Sequence, residues 1–179
     1  VAAIATLDGR FTAATLIDRY SDLAWLKPWV AGASNWKLAI RIPTEGVPSR
    51  DEPSQLLLTS DLVGTAITMP EPMKKAEQAN LQMELRAPLP IERGEINLRL
   101  GEIMRLRGRV RKDLPLTGTI QLGEGTIADP PAQGLSVRGD AALLDSTGWV
   151  GFSAKGESSS TLHDIDVQAA RLIFIDRTF

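Results

Sequence analysis

From Ser34 onward, apolar side chains fall on every second position in one stretch after another. Trp36, Leu38, Ile40 and Ile42 alternate with Asn35, Lys37 and Arg41; Leu81, Met83 and Leu85 with Gln82, Glu84 and Arg86; Ile96, Leu98 and Leu100 with Asn97 and Arg99. Met104, Leu106 and Val110 alternate with Arg105, Arg107, Arg109 and Arg111, and Leu116, Ile120 and Leu122 with Thr117, Thr119 and Gln121. Leu135, Val137, Ala141 and Leu143 continue the pattern. Successive side chains of a strand point to opposite faces, so each stretch predicts a strand with one apolar and one wet face. Gly, Pro or charged turns separate them, which predicts an antiparallel meander over 34–144 and no βαβ unit.

The flanks are less regular. Ala2 to Leu7 predicts a strand turned by Asp8-Gly9. Thr15-Leu16-Ile17-Asp18 has the form of a capping box, and Leu16, Tyr20, Leu23 and Ala24 recur at helical spacing, which predicts one or two short helices within 12–30. Gly46, Pro48 and Pro53 mark 44–53 as a loop, and 55–69 reads as a long strand broken near Asp61 to Gly64. Pro70 to Lys75 is a turn or a crossing segment. A short helix is expected over 145–155, capped by Asp145 or Ser146 and packed through Trp149, Val150 and Phe152, though Gly148 and Gly151 weaken it. Closing strands follow over 162–179. The chain is therefore expected to be a single β-rich segment, mainly β. Its form would be a curved antiparallel sheet, an open groove or taco-like half-barrel, with one to three short helices at its edge.

Composition narrows the class without choosing a function. Of 179 residues, 43% are hydrophobic and 23% charged, and a net charge of −2 gives no electrostatic argument for nucleic acid. The absence of cysteine excludes disulfides, thiol catalysis and thiolate metal sites. Neither a signal peptide nor a run of about 18 apolar residues is present, so the segment reads as soluble by itself. The chain opens on Val1 and closes on the strand-like Arg171 to Phe179, and both ends read as cuts inside a longer protein.

Candidate chemistry is sparse, and no cofactor is expected. His163 is the one histidine, and with Asp164 and Asp166 it makes at most a weak metal site. Ser158-Ser159-Ser160 lacks the strand-turn-helix setting of a hydrolase nucleophile, Glu92, Glu95 and Glu102 are scattered carboxylates, and Gly123-Glu124-Gly125 precedes no helix. No enzymatic activity is expected. The ladder Arg105, Arg107, Arg109 and Arg111 has two readings: contacts to phosphate headgroups, or a solvated outer face paired with acids such as Glu84 or Glu95. Trp25, Trp29, Trp36 and Trp149 suit sugar stacking, a membrane interface or the packing of a helix onto the sheet.

Four stretches carry a family resemblance. They are the tract from Gly9-Arg10-Phe11 to Trp36 through Pro43; Ser60-Asp61-Leu62-Val63-Gly64 leading into Met69-Pro70-Glu71-Pro72-Met73-Lys74-Lys75-Ala76; Leu144-Asp145 with Trp149; and Ile165 to Phe179. In this order they resemble the C-terminal half of YhdP-type proteins of the AsmA-like group of Gram-negative envelope proteins. The resemblance implies a long periplasmic protein, tethered in the inner membrane by a region absent from this segment, whose apolar groove moves phospholipid between inner and outer membranes. It implies phospholipid and neighbouring modules of the same chain as partners. Open strand edges would let the fragment self-associate.

On that reading the groove lining is expected from Leu38, Ile40 and Ile42, from Leu81, Met83 and Leu85, and from Ile96, Leu98, Leu100 and Met104. Exposing acyl chains costs about 0.8 kcal/mol per CH₂, so a conduit needs a continuous apolar wall. The same alternation also builds the filled core of a closed β-sandwich, which would suit a non-enzymatic interaction or assembly module. What decides between them is whether the apolar faces leave an open trough.

Overall fold

Eleven residues of unbroken pairing begin the fold. In the computed structural model, which describes residues 2–18, 26–43, 53–91, 93–112, 114–155, 162–175 and 177–178, β1 (Ala2–Thr12) lies antiparallel to β2 (Val30–Pro43). The turn expected at Asp8-Gly9 does not form. Gly9 sits opposite Trp36 within the ladder, and the Phe11 ring occupies the space a Cβ at Gly9 would need. Helix α1 (Ala13–Asp18) follows directly. Its cap is Thr12, whose Oγ1 accepts from the Thr15 N–H at 3.1 Å, three residues before the expected box. Residues 19–25, with Trp25, lie outside the described residues, as do 44–52.

β3 (Ser54–Ser60) and β5 (Met83–Leu89) are neighbours in the sheet, yet 22 residues separate them, and these include β4 (Thr65–Ile67). β6 (Arg93–Leu100), β7 (Met104–Arg111) and β8 (Leu114–Leu122) continue as a meander. The sheet order is β1-β2-β3-β5-β6-β7-β8, then β9 (Leu135–Ala141) and β11 (Leu162–Ala169), with β4 attached to β2. Between β9 and β11 come β10 (Leu144–Asp145) and α2 (Ser146–Lys155). β10 joins β12 (Leu172–Phe174) and β13 (Arg177–Thr178) in a small second sheet.

The large sheet is mixed, which corrects the antiparallel expectation. Pairing is antiparallel from β1 to β8, but β9 runs parallel to β8, and β11 parallel to β9. A βαβ unit is therefore present, β9-α2-β11. A half-buried strand shows the same alternation in either direction, so periodicity could not reveal it. Asp145 caps α2, its Oδ1 accepting from the Gly148 N–H at 2.7 Å.

The sheet is not closed into a barrel: among the described residues no strand pairs with the outer edge of β1 or of β11. One margin nonetheless arches. The residues after β4 reach Glu71, whose carbonyl accepts from the Asp145 N–H, just after β9. In a flat sheet β2 and β9 would stand six strand spacings apart, about 29 Å. Four residues from Ile67 to Glu71 and four from Ala141 to Asp145 reach about 14 Å each only when fully extended. A turn at Pro70 to Met73 prevents that, with the Met73 N–H donating to the Pro70 carbonyl, so the margin must draw inward.

Candidate functional site

Register places the apolar side chains of the strands in rows that cross the sheet. The middle row is Leu7, Leu38, Leu58, Leu85, Leu98, Leu106, Ile120, Val137 and Ile165, one from each of nine consecutive strands. Its eight inter-strand steps amount to about 38 Å at ~4.8 Å each. One row nearer the Ile42 rim stand Ala5, Ile40, Leu56, Ala87, Ile96, Gly108, Gly118 and Leu135; one row toward the other margin stand Trp36, Ser60, Met83, Leu100, Met104, Leu122, Gly139 and Val167.

These rows differ in what covers them. The last row meets the excursion between β3 and β5: Leu62, Ile67, Met69 and Leu81 pack with Leu100, Met104 and Leu122 as the buried core, joined by Trp29, Trp36, Met73 and Trp149. Away from that margin Leu38, Ile40, Leu56, Leu58, Leu85, Ile96 and Leu106 are half-buried, beside one another in the sheet. Among the described elements, β5, β6 and β7 pack extensively only with their sheet neighbours. The ends of the middle row are open, with Leu7 58% and Ile165 63% exposed. The apolar face is thus a filled core along one margin and a half-buried apolar band beside it. No second large sheet faces it among the described residues.

The ten expected lining residues divide accordingly. Leu38, Ile40, Leu85 and Ile96 lie in the half-buried band and Ile42 on its exposed rim; Leu98 lies in the band while touching the core. Leu81, Leu100 and Met104 are buried in the core, and Met83 packs against it. Leu81 is not in a strand at all but in the excursion, beside Gly101. Leu7, Leu56, Leu58, Leu106 and Ile165 belong to the band and carry the same alternation, which was the available signal.

The arginine ladder has another occupation. Register sets it on the face opposite the apolar rows, where residues 123–134 cross from β8 to β9. Arg105 donates to the Gly125 carbonyl at 2.5 Å, and Arg111 to the Ala132 carbonyl at 3.3 Å. Arg107 forms ion pairs with Glu95 at 2.7 Å and Asp129 at 2.8 Å. The Glu95 carboxylate's hydrogen bond raises the Arg107 pKa further. Arg109 is exposed on the same face. Arg105, Arg107 and Arg111 pin the crossover loop, and all four arginines lie on the face opposite the apolar band; Glu84 pairs with Arg86 instead.

A knot fastens the excursion to the sheet. Ser60 Oγ donates to the Asn35 carbonyl at 2.7 Å and accepts from the Leu62 N–H at 3.0 Å, while Asp61 Oδ1 accepts from the Val63 N–H. Leu62 takes a left-handed backbone, φ 52°. The buried Lys75 ammonium closes the knot, donating to the carbonyls of Leu62 (2.8 Å), Thr65 (2.7 Å), Ala76 (2.9 Å) and Glu77 (3.3 Å). Trp149 Nε1 donates to the Glu71 carbonyl at 2.8 Å and ties α2 to the same turn. The Ser60 to Gly64 and Pro70 to Lys75 motifs are therefore two halves of one lock, which Trp149 and Asp145 reach.

The remaining candidates do not gather. His163 is exposed at a register shift in β11, and Asp164 pairs with Arg138 at 3.1 Å. Among the described residues no group of three His, Asp or Glu side chains is placed to hold a metal. Ser158 to Ser160 and Glu92 lie outside the described residues, and so does the Phe152 side chain. Trp29, Trp36 and Trp149 all pack against the core, the plainest of their readings. No described helix is long and apolar enough to cross a membrane.

Fold and face define a class: an open β-sheet protein with a one-sided, partly uncovered apolar surface. The chain belongs to the YhdP family, matching the family described as "YhdP protein" over residues 2–179. No curated protein and no solved structure matches it.

Proposed function

We propose that this chain is one stretch of a periplasmic lipid-transport protein, tethered to the inner membrane by a region outside this segment, in which phospholipid acyl chains lie on the half-buried apolar band. The observation that carries the reading is the apolar row that crosses nine strands and has no second sheet over it among the described residues, with Leu98, Ile120 and Val137 also touching the core. Half of a bilayer's roughly 30 Å hydrocarbon core is about 15 Å, so a band of about 38 Å has room for a leaflet's acyl chains to lie along it. Headgroups stay at the Ile42 rim in water, and transfer is passive and non-enzymatic. Flanking modules of the same chain continue the band, by edge pairing, past β1 and β11, the outermost strands among the described residues.

Native mass spectrometry of the segment purified from a bacterial periplasm tests this. Bound phospholipid is expected, and it should be lost when Leu58→Asp and Leu85→Asp are combined. These two residues face each other across β3 and β5 and are not part of the packed core. A folded wild type that is lipid-free and indifferent to added phospholipid sinks the proposal and favours the interaction module.

A further inference from the structure

Sulfur in this chain is confined to one part of the fold. There is no cysteine, and the four methionines are Met69, Met73, Met83 and Met104. All four belong to the packed margin. Met69 and Met104 lie within the buried core, at 8% and 9% exposure, while Met73 and Met83 are half-buried and pack against it. The middle row of the band and the row nearer the Ile42 rim hold only Leu, Ile, Val, Ala and Gly.

With no thiol to consume an oxidant, the thioethers are its first targets, and oxidation turns an apolar side chain into a polar one that no longer suits a packed core. Met73 and Met83 stand where that change matters. Met73 lies in the turn of the excursion, between Glu71, whose carbonyl accepts from Trp149 Nε1 and the Asp145 N–H, and Lys75, whose ammonium closes the lock. Met83 opens β5 where the excursion rejoins the sheet, and it is paired with Ser60 on one side and Leu100 on the other. One thioether is thus carried by the excursion and the other by the strand it returns to. Both side chains remain partly open to solvent, unlike those of Met69 and Met104.

We propose that Met73 and Met83 are oxidation sites that make the packed margin a redox-sensitive clasp: a hydroperoxide converts them to sulfoxides, and these loosen the excursion from the sheet. In each event the thioether sulfur takes one oxygen atom from the peroxide and is oxidised by two electrons, while the O–O bond breaks and the remaining oxygen leaves as water or an alcohol. The covered row of Met83, Leu100, Met104 and Leu122 then loses its close packing, whereas the band, which holds no sulfur, is chemically unchanged. Methionine sulfoxide reductases restore the thioethers, so the change is reversible. The inference does not rest on acyl chains occupying the band.

Titrating the folded protein with hydrogen peroxide, and mapping the added oxygen by peptide mass spectrometry, tests this. Met73 and Met83 should be oxidised before Met69 and Met104. Once they are, the thermal midpoint should fall by about 5 °C or more, amide exchange at Leu100, Met104 and Leu122 should quicken, and reductase treatment should reverse both. Met73→Leu combined with Met83→Leu nearly conserves volume and should make the midpoint indifferent to the same dose. Met83→Gln, polar and of similar length, should lower the midpoint without any oxidant, a result independent of whether the leucine variant folds. Oxidation of all four methionines at one rate overturns the proposal, because oxygen would then enter only through global unfolding. So does a midpoint that holds after Met73 and Met83 are modified.

Discussion

Lys75 shows how one charged residue holds the packed margin. Its ammonium has four carbonyl neighbours, and burial draws its pKa below the ordinary lysine value, while Asp61 and Glu77 pull the other way. Lys75→Met keeps the length of the side chain and removes the shared donor, while the Leu62, Ala76 and Glu77 carbonyls keep the backbone N–H groups of Thr65, Ala79 and Gly64. Hydrogen bonds to a charged group contribute about 1.5–3 kcal/mol net, so a loss of about 2 kcal/mol is expected from the urea midpoint; a change below about 0.5 kcal/mol would mean that the lock contributes little. Asp164 is a second case. Register places Ser136 beside it, and the nearby Ser136 hydroxyl holds the Asp164 carboxyl below its ordinary value of 3.8, reinforced by Arg138 and His163 and opposed by desolvation, although neither Ser136 Oγ nor Asp164 Oδ1 completes a hydrogen bond. A carboxyl with a depressed native pKa adds stability above its unfolded pKa and loses it as pH falls through the native one. The gap in thermal midpoint between wild type and Asp164→Asn should therefore be present at neutral pH and shrink below pH 3.8. A gap that stays constant into acid would remove the carboxylate from the account.

Among elements, what the sequence revealed and what it hid follow from the kind of interaction involved. Alternation identified β2 and β5 to β8 because in each the ladder leaves one face for apolar contacts and one for water. It could not distinguish parallel from antiparallel neighbours, so β9 and β11 were placed in the wrong direction. Nor could local turn chemistry anticipate that Asp8-Gly9 would be carried straight through by pairing with β2. The lining residues divided for a related reason. Leu85 and Leu100 carry the same pattern, and only the excursion folding back from β3 decides that Leu100 is buried and Leu85 is not. The most recognisable motifs, Ser60 to Gly64 and Pro70 to Lys75, proved to be parts of the lock and not of the band. Motifs built on turns and hydrogen bonds have strict residue requirements, whereas an apolar wall accepts any bulky aliphatic side chain.

Across the whole molecule, stability should be graded. Amide exchange ought to be slowest where β6, β7 and β8 meet the core at Leu100, Met104 and Leu122, and fastest in β1 and β11, the outermost strands among the described residues. Uniform protection from edge to edge would contradict a core confined to one margin. That confinement has a consequence for how such a protein can change in size. In a sandwich or barrel, every added strand must fit a closed interior, and growth is penalised by clashes or voids. Here the close-packed part is supplied by a segment inserted between two adjacent strands, and the rest of the apolar face makes no steric demand on what is appended beyond β1 or β11. A sheet of this kind can lengthen by duplication without redesigning its interior, so that span becomes a quantity evolution can adjust separately from folding.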